Sequence, residues 1–188
     1  MPVVVNQNRE AVIRNQENRK LQRKRKDAGI KPAFFLFIFK SLIISDMTAR
    51  FATKQDVKAI YGFINELENT VFDYGVFEQY YFENLENKNY IYIVVTDAVQ
   101  NVIGFCSCHG QLLLHHLSMV FEIQELYVTP EYRNNKVGRF LLETMESLLK
   151  EKGYNLLEVT SNKRRTEAHR FYINNGFADT HFKFTKRL

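Results

Sequence analysis

The sequence predicts an α/β domain in the α+β sense, a mixed central sheet with helices on both faces in the order βααβββαβαβ. Three observations carry this. Short stretches rich in β-branched and aromatic residues, such as Tyr90–Thr96, alternate with segments of helical periodicity. The polar turn Asp97–Asn101 folds Val102–His109 back as a hairpin partner of Tyr90–Thr96. Finally, Glu122–Val128 reads as a strand that Thr129-Pro130 stops. The helix beyond it carries Val137, Leu141, Met145 and Leu148 on one face.

Taken in order, the first strand surrounds Arg50-Phe51-Ala52. Thr53 can cap a helix whose apolar face is Val57, Ile60, Tyr61, Ile64 and Leu67. A loop over 70–75 precedes a shorter helix near Phe77–Leu85. After the Tyr90–His109 hairpin, Leu112–Leu117 continues the strand or its loop, and Ser118–Val128 is the next strand. Gly153 ends the central helix as a C-cap. Asn155–Thr160 is a strand, Thr166–Asn174 a helix stopped by Gly176, and Phe177–Thr185 supplies the final strand.

The chain has 188 residues, 45% of them hydrophobic, enough for one domain with a substantial core. Its net charge of +5 is unevenly placed. Residues 1–46 hold ten basic and four acidic side chains, whereas residues 47–188 hold 16 and 17. A broad nucleic-acid face on the body is therefore excluded. Residues 1–46 read as a basic and apolar extension, poorly ordered or foreign to the native protein, with membrane or RNA contact as the sharper alternatives. Its apolar run 33–45 is too short for an ordinary membrane span. The domain proper is 47–188. Cys106 and Cys108 share a strand face too closely for an unstrained disulfide, so two buried thiols in a reducing compartment are expected.

The turn Arg133-Asn134-Asn135-Lys136-Val137-Gly138 opens a helix straight after a strand. Backbone N–H groups at such a place lack intrahelical partners and lie at the positive end of the helix dipole, which suits a phosphate or pyrophosphate. Gly138 allows close approach, and Arg133, Lys136 and Arg139 add positive charge. An ordinary basic turn is the competing reading.

Arg133-x-x-x-x-Gly138 after Val128-Thr129-Pro130 resembles the acetyl-CoA loop of the GNAT superfamily of N-acetyltransferases. Ser161-Asn162, Ala168-His169-Arg170-Phe171-Tyr172 and Asn175-Gly176-Phe177 resemble its second motif. The superfamily pattern has a glycine where Lys136 stands, yet Lys136 keeps an N–H and brings a cation. Taken with Leu114-His115-His116 and the ending from His181 to Lys186, the resemblance is to the members that acetylate aminoalkylphosphonates, and it covers roughly Ala49 to Leu188.

That resemblance implies a GNAT-like fold, acetyl-CoA as donor, a small aminophosphonate as acceptor, direct attack in a ternary complex, and a cytoplasmic enzyme, often dimeric. It implies that Leu126, Tyr127 and Val128 serve the thioester and pantetheine. Arg133, Asn134, Asn135, Lys136, Val137, Gly138 and Arg139 would seat the pyrophosphate, and Asn162 would meet the cofactor's amides. An alkylamine arrives protonated, so transfer needs a base. Glu122 is the choice, in agreement with the resemblance, and Glu125 stands second. Simple alternation puts Glu122 with Gln124 on one face of the strand and Glu125 on the other. Tyr172 is the general acid, because a phenol and a thiol lie close enough in pKa for a nearly balanced transfer.

Asp73 and Tyr74 are candidates for gripping the amine, with a helix-cap role for Asp73 as the alternative. His115, His116, Arg164, Arg165, His169 and His181 form the cationic set available to a phosphonate. If extended, His115 and His116 point to opposite faces. The resemblance adds a divalent metal, for which the sequence offers no compact ligand motif. Polyamines, aminoglycosides and protein amines remain as acceptors, and a tethered, non-catalytic acyl-CoA-binding domain remains as another class.

Overall fold

A computed structural model describes residues 47–188. The expectations for residues 1–46 lie outside the described residues. Five strands lie in the spatial order β1 (Thr48–Phe51), β2 (Tyr90–Thr96), β3 (Val102–Leu113), β4 (Ser118–Val128) and β5 (Leu157–Val159). β1 to β4 pair antiparallel, while β5 joins β4 in parallel, so the sheet is mixed. Parallel pairing needs a crossover, and α3 (Val137–Glu151) supplies it. The other helices are α1 (Val57–Glu68), α2 (Tyr74–Glu86) and α4 (Thr166–Asn174).

α1 buries Val57, Ile60 and Phe63 in a cluster with Tyr81 of α2 and with Tyr92, Val94, Phe105 and Tyr127 of the sheet. Phe63 stacks on Tyr127 at 4.7 Å. The opposite sheet face takes α3, whose Val137, Leu141, Leu142, Met145, Leu148 and Leu149 are all buried. Gly104 makes that contact close, because a Cβ there would stand 3.0 Å from Val137 and 3.1 Å from Leu141. A latch fastens β1 to the start of α1. Asp56, 4% exposed, accepts from both Arg50 Nη atoms at 2.8 and 2.7 Å and from Thr53 N and Oγ1 at 2.7 and 2.9 Å.

The expected fold class holds, with one difference of order: the described elements run βααβββαβα. Residues 177–188 form no strand, despite the alternation of Phe182 and Phe184. Alternation stabilises a strand only when a neighbouring layer buries its apolar face. Here Phe182 and Phe184 stand exposed. No helix among the described residues is long and apolar enough to cross a membrane.

Candidate active site

The site grows from an irregularity in β4. Opposite residues run Ser107↔Glu125 and then Cys108↔Ile123, so Gln124 is an extra residue bulged out of the ladder. Opposite residues of an antiparallel pair share a face. Glu122, opposite His109, therefore lies on the same face as Glu125, opposite Ser107. This corrects the alternation argument, which separated the two carboxylates and grouped Glu122 with Gln124. The bulge also marks where β5 leaves, since β5 pairs with β4 only from Phe121 to Ile123. From Gln124 to Val128, β4 has no strand on that side among the described residues.

The two carboxylates meet different surroundings. Glu122 Oε1 accepts from Thr160 Oγ1 at 2.6 Å. Glu125 accepts a hydrogen bond from Ser107, whose Oγ also takes the Glu125 N–H at 3.0 Å. Burial, aided by the nearby Glu68 charge, pushes the Glu125 carboxyl up, and the Ser107 hydrogen bond only partly offsets this. Tyr127 donates to Glu66 at the end of α1, which ties that helix to the open half of β4.

Beyond β4, a short 3-10 turn, Pro130–Tyr132, leads into the basic loop. Asn134 and Lys136 take left-handed backbone angles, φ 63° and 65°. Lys136 thus adopts the conformation that the family glycine would favour, at a cost of about 1 kcal/mol. It is also the N-cap of α3 and gives no side-chain cap, so the N–H groups of Val137, Gly138 and Arg139 open the helix uncapped. The cations are arranged unequally. Arg133 Nε donates to Val128 O at 3.1 Å, Arg139 pairs with Glu143 at 2.7 Å, and the Lys136 side chain is exposed.

Gly138 has a structural reason of its own. A Cβ there would lie 3.2 and 3.3 Å from the Phe171 ring. Gly138→Val is expected to push α4 away from α3 and to cost about 1–3 kcal/mol by overpacking. Thermal melting checks this, and an unchanged melting temperature would show that Phe171 yields freely.

Phe171 carries its neighbour Tyr172 to the α3 side of the sheet, near Cys106 and opposite to the face of Glu122. The Tyr172 ring meets Phe171 and Phe177 edge-on, and burial pushes its phenol up to about 12. Asn162 turns the chain into this helix. Its Oδ1 accepts from Arg164 N, and its backbone carbonyl accepts from Arg165 N and faces His169 Nε2 at 2.9 Å. Arg165 reaches back to α1, donating to Leu67 O at 2.7 Å and pairing with Glu68 at 3.1 Å.

The remaining expected acceptor residues are scattered. Asp73 is the N-cap of α2, accepting from Val76 N at 2.9 Å, so the cap role is the one formed. Tyr74 donates to Glu78 and meets Tyr61 edge-on. His115 and His116 do not point to opposite faces. They sit in the exposed 114–117 turn between β3 and β4, with ring centroids 4.4 Å apart. His181 pairs with its neighbour Thr180 in the exposed final segment. Cys106 and Cys108 are free and buried, and burial pushes the Cys108 thiol up to about 12. Among the described residues, no three His, Cys, Asp or Glu side chains stand together as a cation cage.

Periodicity missed His109, Ser107, Thr160 and the α1 pair Glu66 and Glu68. The only advance signal was chemical type, a histidine and a serine inside an apolar strand.

This geometry has relatives. A family model described as "Acetyltransferase (GNAT) domain" matches residues 87–179. The chain is 39% identical over 141 residues to the aminoalkylphosphonate N-acetyltransferase of Salmonella typhimurium, covering 74% of this chain and 90% of that protein. Among solved structures, a transcriptional regulator from Bacillus halodurans aligns with TM-score 0.68 at 21% identity over 76% of this chain and 99% of its own. An aminoglycoside 6'-N-acetyltransferase from Acinetobacter baumannii aligns with TM-score 0.66 at 15% identity over 76% and 99%. At those identities the two structures speak for the fold alone. The extended identity to the Salmonella enzyme speaks for more: this chain belongs to the GNAT acetyltransferases and is an N-acetyltransferase of a family that uses acetyl-CoA.

Proposed function

We propose that the protein transfers the acetyl group of acetyl-CoA to the amine of a small aminoalkylphosphonate, by direct attack in a ternary complex in the cytoplasm. The observation that carries the acceptor class is the 39% identity spanning nine-tenths of the Salmonella enzyme. Acetyl-CoA supplies an activated acyl group as a thioester. The chain's own residues fit such a molecule, because the open half of β4 leads directly to the uncapped N-terminus of α3. Val137, Gly138 and Arg139 would hold the pyrophosphate through their N–H groups, with Asn134, Asn135 and Lys136 framing it. Leu126, Tyr127 and Val128 offer the strand edge along which an amide-bearing arm can pair. Asn162 is placed at the entry to α4, its Oδ1 already serving Arg164.

The open edge is where the two faces of the sheet communicate. Glu122 takes the ammonium proton from the α1 side, and Tyr172 reaches the same opening from the α3 side. A phenol near 12 is several units weaker as an acid than an ordinary thiol, so full proton transfer from Tyr172 is uphill rather than balanced. Tyr172 therefore acts as a hydrogen-bond donor to the departing sulfur, which takes up the second proton that the acceptor nitrogen sheds as the tetrahedral adduct collapses to the amide. Tyr172→Phe is expected to slow turnover about 10-fold or more, with the affinity for coenzyme A little changed. Steady-state rates and calorimetry separate the two effects, and equal losses in both would make Tyr172 a binding residue.

For the phosphonate, Arg165 is the cation best placed, because its link to Leu67 and Glu68 holds it between α1 and α4. His169 adjoins it. Among the described residues, no three His, Cys, Asp or Glu side chains are grouped to hold a divalent metal.

The test is an acceptor screen with acetyl-CoA. Aminomethyl-, 1-aminoethyl- and 2-aminoethylphosphonate are compared with spermidine, kanamycin and a lysine peptide. Turnover confined to the last three would retain the N-acetyltransferase and remove the phosphonate.

A further inference from the structure

A polar column runs across the α1 side of the sheet beside Glu122. His109 of β3 stands directly opposite Glu122 of β4. Its ring stacks on Tyr90 of β2 at 3.7 Å, nearly parallel at 6°. Its Nε2 lies 3.1 Å from Tyr92 Oη. Tyr92 is buried, and its hydroxyl oxygen accepts from Asn84 Nδ2 of α2 at 2.8 Å.

This network suits one set of proton positions. With Asn84 donating to the Tyr92 oxygen, the phenol proton is available to Nε2, which is then the bare, accepting nitrogen. Burial and the high pKa of Tyr92 keep that phenol protonated. A neutral imidazole whose Nε2 accepts carries its hydrogen on Nδ1. Burial agrees with this state, holding His109 below its ordinary range against the upward pull of Glu122. The charged and titratable groups around the ring are Tyr90 and Tyr92 from β2, Glu122 opposite on β4, and Glu125 farther along the same face. From α2 comes Asn84, acting through Tyr92.

We propose that His109 is a positioning residue for the base: clamped by Tyr90 and Tyr92 on the β2 side, it offers Nδ1–H to the β4 side and keeps the Glu122 carboxylate aimed at the acceptor. The inference rests on Glu122 being the base. A cross-strand pair brings side chains within about 5 Å at the Cβ atoms, so an imidazole N–H and a carboxylate can meet directly or through one water. A donor to the carboxylate fixes the direction in which its oxygens point.

Three measurements test this. By 15N NMR on the unaltered protein at neutral pH, His109 should show a protonated Nδ1 and a bare Nε2. A proton on Nε2 would overturn the assignment without any variant. His109→Phe keeps a ring to stack on Tyr90 and removes both nitrogens. It should lower kcat/KM for the acceptor about 10-fold while the KM for acetyl-CoA stays put, the split expected when a base is left misaligned. His109→Asn, with an amide nitrogen near the place of Nδ1, should recover most of that loss. An undiminished kcat/KM in His109→Phe, with Glu122→Gln inactive, overturns the role of His109 alone. Activity retained in Glu122→Gln removes the base itself.

Discussion

Glu122→Gln is expected to lower kcat/KM for the acceptor by about 10²–10⁴-fold near neutral pH. Glutamine has the shape of glutamate, and its Oε1 can still accept from Thr160 Oγ1, so the 2.6 Å contact between β4 and the residue after β5 survives. What disappears is a group able to take a proton. An alkylamine with a pKa near that of lysine, roughly 10.4, is overwhelmingly protonated at pH 7. Only the rare free amine can attack without help. The deficit should therefore shrink as pH rises toward the pKa of the acceptor, where the amine arrives deprotonated. Steady-state rates from pH 6 to 10 with saturating acetyl-CoA check this. A profile of unchanged shape would take the base role from Glu122 and pass it to Glu125, on the same face and pushed up by burial.

Asp56→Ala should have the largest effect on stability. Asp56 is 4% exposed and satisfies two guanidinium nitrogens of Arg50 as well as the amide and hydroxyl of Thr53. Removing one partner of such a pair leaves the other half-buried and uncompensated, which costs about 3 kcal/mol or more. For a domain of this size the melting temperature should fall by roughly 6–12 °C. Burial raises the Asp56 carboxyl, but the Arg50 and Thr53 hydrogen bonds outweigh it and the net shift is downward. A carboxyl held low stabilises the fold above its unfolded pKa, near 3.9, and loses that contribution as pH falls through its folded value. The unaltered protein should therefore lose this increment below about pH 4, while Asp56→Ala should show a flatter acid limb. Denaturant titrations at pH 3 and pH 7 make the comparison. Equal differences between the two proteins at both pH values would remove the latch from acid stability.

Much of this fold was legible because its signals are local. The helix Val137–Glu151 announces itself by apolar spacing, and the hairpin Tyr90–Leu113 by its turn. The final strand was misread for the converse reason. Phe182 and Phe184 alternate as a strand would, but alternation reports only what one segment offers, and no layer among the described residues accepts it. At the site, the chemical types of Glu122, Tyr172 and the basic loop could be named in advance. Their partners could not.

The sequence by itself determined the order of most elements, the amphipathic face of each helix and the acetyltransferase motifs, since these depend on neighbours a few residues apart. Only the tertiary structure decided that Gln124 bulges and sets Glu122 beside Glu125, that Gly138 is kept bare by Phe171, and that Arg165 holds the end of α1. It alone put His109 across from the carboxylate. Each of these depends on register or packing between segments far apart in the chain, where one inserted residue reverses which face a side chain occupies.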